Sequence, residues 1–113
     1  MELWERQSLF TKNVAKLINY INDQGYTCTL GEVYRTPEQA ALNAKTGKGI
    51  KNSLHCDRLA VDINLFTKDG QYQAKTEQYK PFGDYWEKLN QFNKWGGSFP
   101  RGDGNHFESS LGK

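Results

Sequence analysis

The sequence predicts an α+β fold, in which a small and mostly antiparallel sheet packs against two or three helices. Two observations point to this class. Apolar residues recur at helical spacing in two separate segments, and residues 59–66 alternate clearly, with large apolar side chains on one face and Ala60, Asp62 and Asn64 on the other. Neither an internal repeat nor an interdomain linker interrupts these segments. We therefore expect residues 1–113 to form a single domain.

The first half of the chain is expected to contain a helix, a strand and a second helix. Residues 3–24 carry an apolar stripe at helical spacing, and Gly25 stands where a helix C-cap is expected. The segment 26–34 is rich in Tyr, Thr and Val, which is typical of a short strand. A second helix is predicted over 36–47, because a Thr-Pro pair suits the start of a helix and a glycine suits its end.

The second half is expected to supply most of the sheet. A Gly- and Lys-rich loop at 47–53 leads to the alternating strand 59–66, and a Lys-Asp-Gly turn suggests a hairpin partner at 71–73. A helix is predicted over 82–94, ended by a Trp-Gly-Gly run, and a last short strand over 105–108. The apolar face of the central strand is expected to be buried: Leu59, Val61, Ile63 and Leu65.

Composition excludes several classes of function. The net charge is only +2 and the basic residues are spread along the chain, which argues against a nucleic-acid-binding protein. Apolar runs fall short of the ~20 residues that cross a membrane, and the N-terminus lacks the apolar segment of a signal peptide. Cys28 and Cys56 are expected to be reduced thiols. We therefore expect a protein made in the cytoplasm that neither binds nucleic acid nor inserts into a membrane.

Two histidines and one aspartate form a candidate metal site. His55 and His106 are the only histidines, and each lies in a polar setting that contains Ser or Gly. Asp62 lies in mid-strand, where aspartate is uncommon and needs a partner. Two imidazoles and a carboxylate are a standard catalytic zinc set, with the fourth position left for water. Because Asp62 follows His55 by seven positions, an odd number, the two would face opposite sides of one strand, so a turn at 56–58 is expected to bring both to one ion.

Hydrolysis at such a site also needs a base and an electrophilic group. Asp103 precedes His106 by three residues and suits the base, with a simple turn residue as the alternative. Arg35 follows a predicted strand and suits stabilisation of an oxyanion, with a surface salt bridge as the alternative. Cys56 is a rival zinc ligand, although its side chain is expected to point away from that of His55.

Together these segments resemble the M15 family of zinc peptidases, which includes D-Ala-D-Ala carboxypeptidases, dipeptidases and phage L-alanyl-D-glutamate endopeptidases. Residues 53–63 match its Ser-x-His-x-x-Gly-x-Ala-x-Asp-[Ile/Leu] pattern, and residues 103–108 match its [Asp/Glu]-x-x-His-x-Glu end. Residues 34–39 resemble the segment that contains a substrate-facing arginine, and 95–97 resemble the run before the last ligand in phage members. Arg58 departs from the pattern, which often has Gly there.

The resemblance implies that the three predicted ligands bind zinc: His55, Asp62 and His106. It further implies that Asp103 is the general base, that Arg35 polarises the scissile carbonyl, and that Ser53 contacts the substrate or supports a ligand. Glu108 is expected to hydrogen-bond a ligand. Arg58 in place of glycine suggests a wider turn after His55 and a charge near the mouth of the cleft.

We therefore expect a zinc-dependent peptidase that acts on the peptidoglycan stem peptide, as an endolysin-type L-alanyl-D-glutamate endopeptidase. It is expected to be a monomer that reaches the cell wall after holin-type release. The alternatives are a D-Ala-D-Ala carboxypeptidase or dipeptidase, a non-catalytic metal- or wall-binding module, and a small structural phage protein.

Overall fold

The first half of the fold contains two helices and one strand. A computed structural model describes residues 1–47 and 53–110, so the interior of the loop predicted at 47–53 lies outside it. Helix α1 spans Leu3–Asp23, strand β1 spans Tyr26–Leu30 and helix α2 spans Pro37–Lys45. Both predicted helices are confirmed, and in these ranges no helix is long and apolar enough to cross a membrane.

Strand β1 is shorter than the predicted strand 26–34, but the residues that follow it still form backbone hydrogen bonds with Asp62 and His55. The backbone N–H of Gly31 donates to the carbonyl of Asp62 (2.7 Å), and the N–H of Asp62 donates to the carbonyl of Glu32 (2.9 Å). The N–H of Arg35 then donates to the carbonyl of His55 (3.2 Å). The segment 31–35 therefore leaves the sheet ladder in order to reach the turn that carries His55.

The second half supplies one helix and three strands. Strand β2 spans Ala60–Thr67, helix α3 spans Lys80–Leu89, strand β3 spans Asn93–Trp95 and strand β4 spans His106–Ser109. The sheet order is β1-β2-β4-β3, and every neighbouring pair is antiparallel. The predicted α+β class is confirmed.

The predicted hairpin partner at 71–73 does not form a strand. The predicted turn does reverse the chain, and two backbone hydrogen bonds join 65–67 to 71–73, but this pairing amounts to an isolated bridge between Phe66 and Tyr72. The chain then enters a 3₁₀ turn at Thr76–Tyr79, which ends the pairing with β2. The strand neighbours of β2 are instead β1 and β4.

The helix predicted over 82–94 is also corrected, because helix α3 ends at Leu89 and Asn93–Trp95 is strand β3. Asn90 has an extended backbone, and its side-chain oxygen accepts a hydrogen bond from the N–H of Phe92 (2.8 Å). Asn93 donates through its side chain to the carbonyl of Trp86 (2.9 Å), near the end of the helix. These side chains satisfy the backbone groups that a longer helix would have used.

The core lies between one face of the sheet and helices α1 and α3. The four residues expected on the buried face of the central strand are at most 1% exposed: Leu59, which directly precedes β2, and Val61, Ile63 and Leu65 of β2. The same core also contains Phe10, Leu17 and Ile21 of α1, Phe82 and Trp86 of α3, and Phe107 of β4. Asp62 and Asn64 are thereby left on the opposite face of β2, where they are half-buried.

Trp95 fixes the loop that follows β3. An added Cβ would lie 2.2 Å from the indole at Gly83 and 2.1 Å from it at Gly97, so the ring lies between two glycines. The indole N–H donates to the carbonyl of Gly104 (2.7 Å). Trp95 is buried, and it braces the loop 96–105 against α3.

We expect Gly83→Ala to destabilise the protein by about 1–3 kcal/mol, because the new methyl group overlaps the indole of Trp95. The sign of the change in the free energy of unfolding is informative, because replacing glycine with alanine in an unhindered helix would stabilise the protein by roughly 1 kcal/mol. Thermal unfolding measures the effect. Exposed Lys88 of the same helix supplies the control Lys88→Ala, which should shift stability by less than about 0.5 kcal/mol. A Gly83→Ala protein with an unchanged or higher unfolding temperature would contradict this packing.

Candidate metal centre

Three elements bring the predicted ligands together. His55 lies in the 3₁₀ turn Leu54–Asp57, Asp62 lies in β2, and His106 is the first residue of β4. Asp62 and His106 face each other directly across the β2–β4 pair. One ligand atom from each of the three side chains lies within 4.8 Å of the others.

The turn at His55 is tight. The hydroxyl oxygen of Ser53 accepts a hydrogen bond from the backbone N–H of His55 (3.1 Å), which caps the turn. Arg58 then adopts a left-handed backbone with φ 53°, the conformation that glycine favours. Its guanidinium lies 4.1 Å from the centre of the Tyr34 ring. Arginine therefore adopts the glycine-type conformation at this position, and a wider turn after His55 stays a prediction.

The two imidazoles converge on a single carboxylate oxygen. Nε2 of His55 lies 3.4 Å and Nδ1 of His106 lies 3.3 Å from Oδ1 of Asp62. The other nitrogen of each ring faces an oxygen acceptor. Nδ1 of His55 lies 3.5 Å from the carbonyl of Val33, and Nε2 of His106 lies 2.7 Å from Oε1 of Glu108.

This arrangement fits a divalent metal ion. When the ring is neutral, an oxygen acceptor at the outer nitrogen holds the proton there and leaves a lone pair on the nitrogen that faces Asp62. Two imidazole nitrogens and a carboxylate oxygen are donors that zinc prefers. Cys56, the rival ligand, is not in this group within the described part of the chain.

The electrostatics of the cluster follow from its shared carboxylate. Burial by itself would raise the pKa of Asp62, but hydrogen bonds and positive charge from His106 and His55 lower it to about 2. Burial would likewise lower the pKa of His106, but Asp62 and Glu108 raise it to about 9. Without a metal, Asp62 is therefore ionised and His106 is protonated at neutral pH.

We expect zinc to bind more weakly as the pH falls below about 9, because a proton on His106 occupies the nitrogen that faces Asp62. NMR titration of the metal-free protein should give an imidazole midpoint near 9 for His106. The Glu108→Gln variant should have a lower midpoint, since it loses one of the two carboxylates that stabilise the proton. A midpoint near 6.5 in the unsubstituted protein would contradict the geometry.

Asp103 lies beside the ligand group. Its Oδ2 is 4.0 Å from Nδ1 of His106, and its side chain is 55% exposed. Its backbone N–H donates to the carbonyl of Gly96 (2.9 Å), and its carbonyl accepts from the N–H of His106 (3.1 Å). The carboxylate is therefore close to the site, open to water and outside the three converging atoms.

Arg35 and Ser53 are placed differently from each other. The Arg35 side chain is 15% exposed and forms an ion pair with Glu32, while its backbone N–H bonds the carbonyl of His55. Ser53 is buried, and its hydroxyl supports the backbone of His55. A contact between Ser53 and substrate stays a prediction. Glu32 was not singled out from the sequence. The signal that could have found it is a carboxylate three residues before Arg35, a spacing at which the two side chains can form an ion pair.

Comparisons with known proteins agree on this class of fold. A model of the M15 peptidase family, described as D-alanyl-D-alanine carboxypeptidase, matches residues 46–109. Among solved structures, the chain is similar to the L-Ala D-Glu endopeptidase ChiX of Serratia marcescens. The TM-score is 0.63 at 19% identity, over 74% of this chain and 67% of that chain, so the likeness shows the fold. No curated protein matches the sequence.

Proposed function

Since the chain belongs to the M15 peptidase family, we propose that it hydrolyses a peptide bond of the peptidoglycan stem with a zinc ion. The proposed bond is the one between L-alanine and D-glutamate, and the proposed setting is an endolysin that degrades the cell wall. The expected family is confirmed by the match over residues 46–109, which contains all three candidate ligands and Asp103.

One observation carries the proposal. His55 and His106 direct ring nitrogens at the same oxygen of Asp62, at 3.4 and 3.3 Å, and an oxygen acceptor faces the other nitrogen of each ring. A purely structural histidine pair would not require both rings to direct a nitrogen at one carboxylate oxygen while an oxygen acceptor faces the other nitrogen. Asp103 beside this point argues for turnover, because a module that only binds metal has no need of a base there.

The mechanism divides the work among the site residues. A zinc ion held by His55, Asp62 and His106 would polarise the scissile carbonyl and acidify a bound water. Asp103 removes the proton from the attacking water and returns it to the departing amine. Arg35 donates hydrogen bonds to the carbonyl oxygen as negative charge develops on it. Glu108 and the carbonyl of Val33 keep the two imidazoles oriented.

A D-Ala-D-Ala carboxypeptidase is the second candidate, and the description of the matching family model favours it. The similarity in fold to an L-Ala D-Glu endopeptidase favours the first. Both reactions hydrolyse an amide and need the same base and electrophile. They differ only in the bond that is placed at the metal.

Mass spectrometry of digested peptidoglycan tests the proposal. Purified protein is stripped with a chelator, and one portion is reloaded with zinc. The reloaded portion should release peptides that begin with glutamate, whereas free D-alanine would indicate the carboxypeptidase. Equal activity in the stripped and reloaded portions would contradict the zinc mechanism. Zinc-loaded protein that cleaves neither bond would contradict a peptidase acting on the wall.

A further inference from the structure

Glu32 contacts the site at several points and has no part in the mechanism above. Its Oε1 forms an ion pair with Nη2 of Arg35 and lies 3.8 Å from Nδ1 of His55. Its backbone carbonyl accepts a hydrogen bond from the N–H of Asp62 (2.9 Å). One residue therefore touches the arginine and two of the three candidate ligands.

The backbone around Glu32 is held firmly against β2. Gly31 donates to the carbonyl of Asp62 (2.7 Å), and an added Cβ on Gly31 would lie 3.1 Å from the Cβ of Asp62. At the other end of the segment, Arg35 donates to the carbonyl of His55 (3.2 Å). The starting point of the Arg35 side chain is thus fixed relative to the candidate ligands.

The guanidinium itself is not fixed by these backbone bonds. An arginine side chain has several rotatable bonds, and holding it in one orientation costs rotamer entropy. The ion pair with Glu32 supplies that restraint. The two side chains are only 15% and 34% exposed, so water screens the pair less than it screens a surface pair. Arginine has five N–H donors, which leaves some for a substrate oxygen.

We infer that Glu32 is a positioning residue, which holds the guanidinium of Arg35 in the orientation that meets the scissile carbonyl. The inference rests on the proposed function, because it takes Arg35 to act on that carbonyl. Its effect on catalysis is exerted through Arg35, and the metal ion does not depend on it.

A double-mutant cycle on the zinc-loaded protein tests whether Glu32 acts through Arg35. Glu32→Ala should lower kcat roughly 10- to 100-fold, the cost of a group misplaced by about 1 Å, and should change KM by less than about threefold. Glu32→Gln keeps the reach and should lose less. In an Arg35→Ala background, Glu32→Ala should cost less than about twofold more. The same factor in both backgrounds would overturn the inference.

Glu38 provides the matched control. It is another glutamate of the same stretch, exposed in the first turn of α2, so Glu38→Gln should leave kcat and zinc affinity unchanged. Zinc affinity of Glu32→Gln should stay within about threefold of the unsubstituted protein. A tenfold or larger loss of zinc affinity would mean that Glu32 acts through the ligand His55 and would overturn the inference.

A spectroscopic measurement keeps the inference testable even if the protein cleaves no peptidoglycan. Nitrogen-15 NMR of arginine side chains should show restricted rotation of the Arg35 guanidinium in the unsubstituted and Glu38→Gln proteins. The signal is assigned by its loss in Arg35→Ala. Glu32→Gln and Glu32→Ala should release the rotation. An Arg35 signal that is unchanged in Glu32→Ala would overturn the inference. If the unsubstituted protein cleaves no peptidoglycan but Glu32→Ala still releases the rotation of Arg35, only the proposed function is contradicted.

Discussion

His106→Ala is expected to remove tight zinc binding and hydrolysis together. The substitution deletes one of three converging donors, and His106 also stabilises the ionised form of Asp62. Alteration of a residue that merely supports a ligand already costs about 10- to 100-fold in metal affinity, so loss of a ligand should exceed 100-fold. Competition with a chromophoric chelator measures the affinity, and digestion of peptidoglycan measures the activity.

Glu108→Gln should reduce zinc affinity less than His106→Ala does. It keeps all three donors and weakens only the hydrogen bond at Nε2 of His106 (2.7 Å), so it should lose about 10- to 100-fold in zinc affinity. The metal-free form of each variant should be checked for folding by circular dichroism. A folded His106→Ala protein that binds zinc as tightly as the unsubstituted protein would remove His106 from the site.

The centre of the sheet was predictable because its signal is local. Alternation over 59–66 places four apolar side chains on one face and Asp62 on the other, and the structure follows this pattern. Helices α1 and α2 were predictable for the same reason, since their periodicity and end signals lie within each segment. Pairing of Asp62 with His106 then required only that the two strands be neighbours.

The features that were mispredicted depend on contacts between segments or on side-chain competition. The apolar spacing of 82–94 continues past the true end of α3, because Asn90 and Asn93 bond the backbone there. Strand β3 exists because it pairs with β4, which helical spacing does not reveal. Glu32 was missed for a related reason, since its contact with His55 depends on how the segment 31–35 runs alongside β2 and the turn that precedes it.

Asp103→Asn is expected to retain zinc and to lose about 10²- to 10⁴-fold in kcat, the usual contribution of a general base. The amide has nearly the same shape and cannot accept the proton of the attacking water. Zinc should remain because Asp103 is outside the converging group, with Oδ2 4.0 Å from Nδ1 of His106. Its 55% exposure also allows the carboxylate to exchange protons with solvent.

Asp84→Asn is the matched control for that loss, because Asp84 is an exposed carboxylate on α3 whose partner is Lys80. It removes the same charge from the protein at a position away from the candidate ligands and should leave kcat unchanged. The comparison between Asp103→Asn and His106→Ala then separates base from ligand. If both lose zinc equally, Asp103 is a ligand and the assignment of roles is inverted. If Asp103→Asn keeps both zinc and turnover, the proton must be removed by another group, and the case for catalysis returns to the three ligands and Arg35.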